Sequence, residues 1–190
     1  MAINGPSTYS QPASAYDIIE TSGKVRHHTF AVLVDNEPGV LARVIGLFSG
    51  RGYNIESLTV STVSEDESVS RINIVTSGTS QIIEQIKAQL ERLVPVHNVH
   101  DLTVEGAHVE KELALVKVVA ADHQRRESLR IADIYGARVS DTTLESFVFL
   151  IDGAAEKVDS FIALMRSLGE IEVARSGVVA ISRGVEINSM

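Results

Sequence analysis

The chain has 190 residues, 44% hydrophobic and 22% charged, which excludes a disordered polymer and leaves room for one ordinary domain or two small ones. Its net charge of −8 argues against non-specific nucleic-acid binding, which needs a basic face to neutralise phosphates. It has no cysteine, which excludes disulfides, thiolate nucleophiles and Cys-ligated metals, and no apolar run approaches the length of a bilayer span.

Residues 1–27 are rich in Ser, Ala, Pro and Tyr and show no sustained periodicity. They lack the apolar core of a secretory signal, and Asp17, Glu20 and a single Arg26 count against a mitochondrial transit peptide. The expectation is a flexible arm on a cytoplasmic protein. The run His28 to Val34 then has strand length and β-rich composition, which predicts a strand over 28–35. Val40, Leu41, Val44, Ile45, Leu47 and Phe48 fall near helical spacing and predict a helix over 38–51. Gly50-Arg51-Gly52 is read as its stop, with Tyr53-Asn54-Ile55 opening a strand over 54–63. Glu65 to Ser68 is a polar hairpin turn before a strand over 69–76. Ile82, Ile83, Ile86, Leu90 and Leu93 stripe a helix over 79–93, Pro95 follows, and a strand over 96–104 closes the set. That order is β-α-β-β-α-β, the ferredoxin-like pattern of the α+β class.

Gly106-Ala107-His108 separates this unit from a second with the same order. Leu113 to Ala121 reads as a strand, and Arg125 to Tyr135 as a helix with Leu129, Ala132 and Tyr135 on one side. Arg138 to Thr143 and Ser146 to Asp152 read as a hairpin. Val158, Phe161, Ile162, Met165 and Leu168 stripe a last helix ended by Gly169, and Ile171 to Ser182 is the final strand. The prediction is two ferredoxin-like units, over 28–105 and 110–184, with a tail over 185–190.

The junction Asp35-Asn36-Glu37-Pro38-Gly39-Val40-Leu41 carries the chemistry. Asn36 suits an N-cap, Pro38 tolerates an early helical position, and Gly39 leaves the backbone bare where the helix begins. Free N–H groups at a helix start suit a small anion, including a carboxylate. Asn36 and Asn54 bracket the helix, and two amides suit a zwitterion if the strands around the helix are neighbours. These residues equally describe an ordinary capped helix, which is the commoner case. The second unit has Ala121-Asp122-His123-Gln124 at this junction, so the notch is expected in the first unit alone.

D-N-E-P-G-V-L followed by G-R-G-Y-N-I resembles the signature of the ACT domain, a small-molecule sensor. RVIGLFSGRGYNIESLTV, SRINIVT, QIKAQLERLVPV and ARSGVVAISRG, in order, resemble the regulatory (small) subunit of acetohydroxyacid synthase, also called acetolactate synthase, from about His28 to Gly184. The resemblance implies an N-terminal ACT domain, a divergent ACT-like second domain, and a homodimer formed through ACT domains. It also implies a catalytic large subunit that carries thiamine diphosphate, Mg and FAD, feedback inhibition by valine or a related amino acid, and no catalytic residue or cofactor in this chain. Carried onto this sequence, the effector residues are Asn36, Pro38, Gly39, Val40, Leu41, Asn54 and Ile55. Val40, Leu41 and Ile55 are core residues first and effector wall second. A free-standing ACT-domain sensor with a different partner is the alternative.

Other constellations stay bland. His97 and His100, three apart in a strand, point to opposite faces, and His27 and His28 diverge, so no zinc site is expected. Arg125-Arg126 reads as solvated or partner-facing. Glu65-Asp66-Glu67 lacks the alternating ligands of a calcium loop. No G-x-S-x-G, G-x-G-x-x-G or P-loop string appears.

Overall fold

The computed structural model describes residues 23–185 and 187. Most of the expected arm, residues 1–22, and Glu186 and Asn188 to Met190 of the tail lie outside the described residues.

The first unit runs β1 (Arg26–Asp35), α1 (Val40–Arg51), β2 (Ser57–Thr62), β3 (Val69–Gly78), α2 (Ser80–Leu90) and β4 (Val96–Asp101). A short helix, α3 (Leu102–Glu105), leads into the second unit: β5 (His108–Val119), α4 (Asp122–Tyr135), β6 (Arg138–Thr142), β7 (Ser146–Gly153), α5 (Ala155–Arg166) and β8 (Glu170–Ser182). Each unit is a four-stranded antiparallel sheet, ordered β2-β3-β1-β4 and β6-β7-β5-β8. The two ferredoxin-like α+β units expected from the sequence are therefore present.

Alternation sets each core. Phe30, Val32 and Val34 of β1 meet Ile72 and Ile74 of β3, Val44 and Phe48 of α1, and Ile83, Ile86 and Leu90 of α2. In the second unit Ala114, Val116 and Val118 of β5 meet Phe147, Phe149 and Ile151 of β7 and Val158, Phe161, Ile162 and Met165 of α5. Small Ala114 on the central strand is matched by three phenylalanines. Phe149 packs edge-on to Phe161, with ring centroids 6.0 Å apart.

The units are joined through β8. A bulge between Glu112 and Ala114 bends the β5–β8 ribbon, and Arg175 holds it there, donating to Glu112 and to Asp159. Beyond the bulge β8 crosses the helix-free face of the first sheet. Side chains of that face satisfy its edge: Ser57 Oγ accepts from the Val178 N–H at 2.8 Å, Thr59 Oγ1 donates to the Val178 carbonyl at 3.2 Å, and Arg71 Nη2 donates to the Ala180 carbonyl at 2.8 Å. Ala180 packs on Ala31 and Leu102. This explains why β1 reads as an unbroken apolar run while β5 alternates: β1 is buried on both faces, β5 on one.

Several local expectations are corrected. Tyr53-Asn54-Ile55 is an irregular link, and β2 begins only at Ser57. The end of the expected strand over 96–104 is α3, capped by the Asp101 carboxylate accepting from the Thr103 N–H. In α4 the inward face is Ser128, Ile131, Ala132 and Tyr135, while Leu129 is exposed. Ser128 tolerates burial because its hydroxyl donates to the Arg125 carbonyl. Gly169 does not cap α5, which ends at Arg166. Its backbone passes so close to β5 that a Cβ there would stand 2.2 Å from the Val119 carbonyl oxygen.

Candidate functional site

β1 hands the chain to α1 through Asp35 to Gly39. The Asp35 N–H donates to the Pro95 carbonyl, and its carboxylate meets His97 Nε2 at 2.8 Å. The Asn36 side chain does not cap α1, contrary to the expectation from sequence. Its Nδ2 donates to the Glu67 carbonyl at 2.8 Å and approaches Thr62 Oγ1 at 3.5 Å, while Oδ1 accepts from Ser70 Oγ at 3.0 Å. Asn36 is thus a strut to the β2–β3 hairpin. The reason is position: the chain makes a further turn through Glu37 and Pro38 before the helix, and the N-cap is Gly39. Pro38 accordingly shapes the turn outside the helix and not its first turn.

Gly39 has φ +88° and ψ −7°, the left-handed region. Nothing lies within 4 Å of where its Cβ would stand, so the backbone angle and not crowding calls for glycine. The helix start is bare. No side chain caps it and no acidic residue occupies its first turn. The Val40 N–H donates to the Glu37 carbonyl at 3.3 Å, but the N–H groups of Gly39, Leu41 and Ala42 have no acceptor among the described residues. Three free donors, with the positive end of the helix dipole behind them, form an anion-attracting corner.

The Val40 side chain is buried in the core, Leu41 points outward, and Ile55 is half-buried against the core. Asn54 is exposed, and its carbonyl accepts from Thr76 Oγ1 at 2.6 Å. Within one chain Asn36 and Asn54 do not share a corner, because β3 and not β2 is the neighbour of β1. Asn36 sits beside Ser70 and Asn54 beside Thr76, six positions along β3, or about 20 Å.

The hairpin that Asn36 grips is itself tied. Ser68 donates to the Asp66 carboxylate through its hydroxyl at 2.7 Å and its N–H at 3.1 Å. The hydroxyl of Ser68, then that of Ser64, lower the Asp66 carboxyl to a pKa of about 2. The histidines of the first unit meet separate carboxylates: His27 with Glu56, His28 with Asp101, His97 with Asp35 and His100 with Glu105. Among the described residues no three His, Cys, Asp or Glu side chains gather as a metal site would need.

Two families of sequences match, in register with the two units. An "AHAS small subunit-like ACT domain" covers residues 30–98, and "Small subunit of acetolactate synthase" covers 111–184. The chain is 46% identical over 157 residues to the probable acetolactate synthase small subunit of Archaeoglobus fulgidus, spanning 83% of this chain and 97% of that one. It is 47% identical over 158 residues to the acetolactate synthase isozyme 3 small subunit of Escherichia coli, spanning 83% and 96%. The chain belongs to the acetolactate synthase small-subunit family. The crystal structure of the Thermotoga maritima acetolactate synthase small subunit superposes with a TM-score of 0.74 at 38% identity, over 85% of this chain and 99% of that one. A small subunit of this family is a regulatory component of an enzyme complex, and it implies a catalytic large subunit as partner. Among the described residues no helix is long and apolar enough to cross a membrane.

Two side chains have roles that the sequence did not show: Arg125, expected to be solvated or partner-facing, instead packs within its own unit, and Arg71 was not singled out. Arg125 lies with its guanidinium 4.3 Å from the Phe147 ring centroid and donates to the Thr143 carbonyl. Arg71 reaches across the units to β8. No local motif marks either. Both roles depend on distant partners, 18 and 22 positions away for Arg125 and 109 positions away for Arg71.

Proposed function

We propose that this chain activates an acetolactate synthase catalytic subunit and makes it subject to feedback inhibition by valine or another branched-chain amino acid. The catalytic partner supplies thiamine diphosphate, Mg and FAD. The observation that carries the reading is the bare α1 start at Gly39, set at the end of an unpaired sheet edge.

That edge is β2. Val60 on it is 44% exposed, and Leu41 in the first turn of α1 is 37% exposed, apolar surface suited to a second copy. Antiparallel pairing of two β2 edges about a twofold axis sets the Thr62 end of one chain against the Ser57 end of its partner. The Thr62 end carries Asn36 and Gly39, and the Ser57 end follows Asn54 and Ile55. The two asparagines that one chain holds about 20 Å apart then meet across the dimer. In this arrangement the N–H groups of Gly39, Leu41 and Ala42 hold the effector carboxylate. The Asn36 Nδ2 hydrogen that meets Thr62 Oγ1 only at an N···O distance of 3.5 Å, and the Asn54 of the other copy, fix its polar ends. Pro38 and Leu41 meet its side chain opposite Ile55 of the other copy, and the Val40 side chain supports them from the core. Glu37 stands outside the helix and is kept clear of the carboxylate by its own charge.

Regulation follows if the effector favours one packing of the paired first units and the catalytic subunit senses that packing. The test is calorimetric titration of the chain with valine, leucine, isoleucine and serine, repeated with Gly39→Asp. The variant places a negative side chain at the free N–H groups. Branched-chain binding and feedback inhibition should disappear while activation of the catalytic subunit survives. A Gly39→Asp protein that stays fully valine-sensitive would show that the effector binds elsewhere.

A further inference from the structure

A recess of about 570 Å³ opens on the other face of the first sheet, in the corner where the β5–β8 ribbon crosses it. Its floor follows from register. Leu33, Arg71 and Ser61 are paired across β1, β3 and β2 and so share a face, with Val69 and Asn73 on either side of Arg71. Its wall is Val109, Val179 and Ile181 of the ribbon. The volume lies within the roughly 300–1,000 Å³ of small-molecule sites. Val63, Val109, Val179 and Ile181, all lining it, remain 51%, 40%, 49% and 59% exposed. Apolar side chains gathered in a concavity and left in water mark a place that something covers.

Charge says what kind of molecule. Among the described residues the only charged side chains lining the recess are Arg71 and Lys111, in a chain of net charge −8. Neither has a carboxylate within ion-pair distance among the described residues. Arg71 is half-buried, and its guanidinium meets only neutral acceptors: the Ala180 carbonyl, and Asn73 Oδ1 at 3.3 Å. A guanidinium has more N–H groups than these two bonds use. Burial pulls Arg71 below its ordinary pKa with no anion to restore it. A cation partly removed from water gains most from a carboxylate held in its fork.

We propose that this recess binds a small aliphatic carboxylate. Its hydrocarbon part lies against Val63, Val109, Val179 and Ile181, and its carboxylate lies on Arg71 with Lys111 at the mouth. Such a ligand bridges the units, since Arg71 belongs to the first and Val109 and Val179 to the second. The site is separate from the Gly39 corner: Arg71 and Ser70 are adjacent and so point to opposite faces of the sheet, and it is Ser70 that holds Asn36.

The test is calorimetric titration of the full chain with sodium octanoate, with octanol and acetate as controls. Octanoate should bind, and octanol and acetate should bind about tenfold more weakly or worse, one for want of charge and the other of apolar body. Arg71→Gln should weaken octanoate by about tenfold or more. Val179→Phe fills the recess without touching Arg71, so it should abolish binding at an unchanged melting temperature. It keeps the test decisive if Arg71→Gln loosens the units. Gly39→Asp should leave octanoate binding intact, which separates this site from the effector corner. The proposal is overturned if octanoate fails to bind at millimolar concentration, if octanol binds as well as octanoate, or if Val179→Phe binds normally. Ile187 also lines the recess. Binding that emerges only in Ile187→Ser would also overturn the proposal, because the chain's own segment would then be the occupant.

Discussion

The two units repeat one fold, and their helix ends can be compared position by position. α1 and α4 both finish on a left-handed glycine, Gly52 with φ +70° and Gly136 with φ +67°. In each the following residue donates back five positions, Tyr53 to Phe48 and Ala137 to Ala132. α2 and α5 both start after an extended residue, Thr79 or Ala154, and both end on a right-handed one, Glu91 or Ser167. The one mismatch is where α1 and α4 begin: Gly39 is left-handed with φ +88°, and Ala121 is extended with φ −88°. Conformations that the fold itself requires recur in both halves. The left-handed start is found once, whereas the lack of a side-chain cap is shared, since Thr79, Ala121 and Ala154 also begin their helices without a side-chain hydrogen bond.

What fills the equivalent corner of the second unit sharpens the contrast. Both units tie the first helix's neighbourhood to the adjacent hairpin. The first does so with Asn36, a short side chain placed before the helix, so the N–H groups beyond it stay open. The second does so with Arg125, from within the first turn of α4, reaching Thr143 and lying over Phe147. A cation with a long stem across that corner occupies the space a ligand would need.

The comparison can be broken most severely in the cores. Phe149→Ala removes the ring that bridges Phe147 and Phe161 and should cost the second unit about 4 kcal/mol. A urea melt followed by a probe in each unit should then show the second unfolding first. If both still melt together, the Ser57, Thr59 and Arg71 contacts to β8 couple the units more strongly than the lost packing separates them. Next in size is the edge. Val60→Lys places a charge on the exposed margin of β2 and should weaken self-association about tenfold or more, read by sedimentation, with the monomer's melting temperature unchanged. The counterpart Val139→Lys on β6 should leave the first-unit dimer alone. Smaller still are the glycines. Gly39→Ala and Gly136→Ala should each cost about 1 kcal/mol, since each forces a side chain into the left-handed region with nothing nearby to strike. Only Gly39→Ala should also weaken valine binding.

How much of this was legible in the sequence follows from what each signal depends on. Apolar periodicity placed the core strands and the four long helices, because burial of Val44, Phe48, Ile83, Ile86, Phe161 and Met165 is the same physics that generates the pattern; it missed α3 and the first five residues of β5. The errors lie where polar groups choose between local partners. Asn36 was assigned to the helix beside it, but the hairpin 31 positions on offered it a carbonyl. Leu129 was set inward by its hydrophobicity, but the phase of α4 puts self-satisfied Ser128 there. The corner at Gly39 was legible because a glycine before a helix speaks locally. The Arg71 recess was not, because its two sides are far apart in the chain and meet only when β8 folds over the first sheet.

The smallest effect tests the strut. Asp66 should titrate near pH 2, where an unpaired aspartate would titrate near 3.8, because the hydroxyl of Ser68, then that of Ser64, stabilise the carboxylate. A lowered folded pKa means stability that is present above the unfolded value and lost as the pH falls from about 3.8 through about 2. Ser68→Ala should move the midpoint, followed by side-chain carboxyl NMR, up towards 3.8. The carbonyls of Ser68 and Glu67, which receive the Asn36 N–H and Nδ2, belong to the same turn. Loosening it should let the Asn36 side chain swing free, visible as faster solvent exchange of its amide protons, while the second unit's hairpin, held by Thr143 and Ser146, gives no such response. An Asp66 midpoint near 3.8 in the unaltered chain would mean that the turn is not locked. The Asn36 strut would then lack the rigid anchor on which the open corner at Gly39 depends.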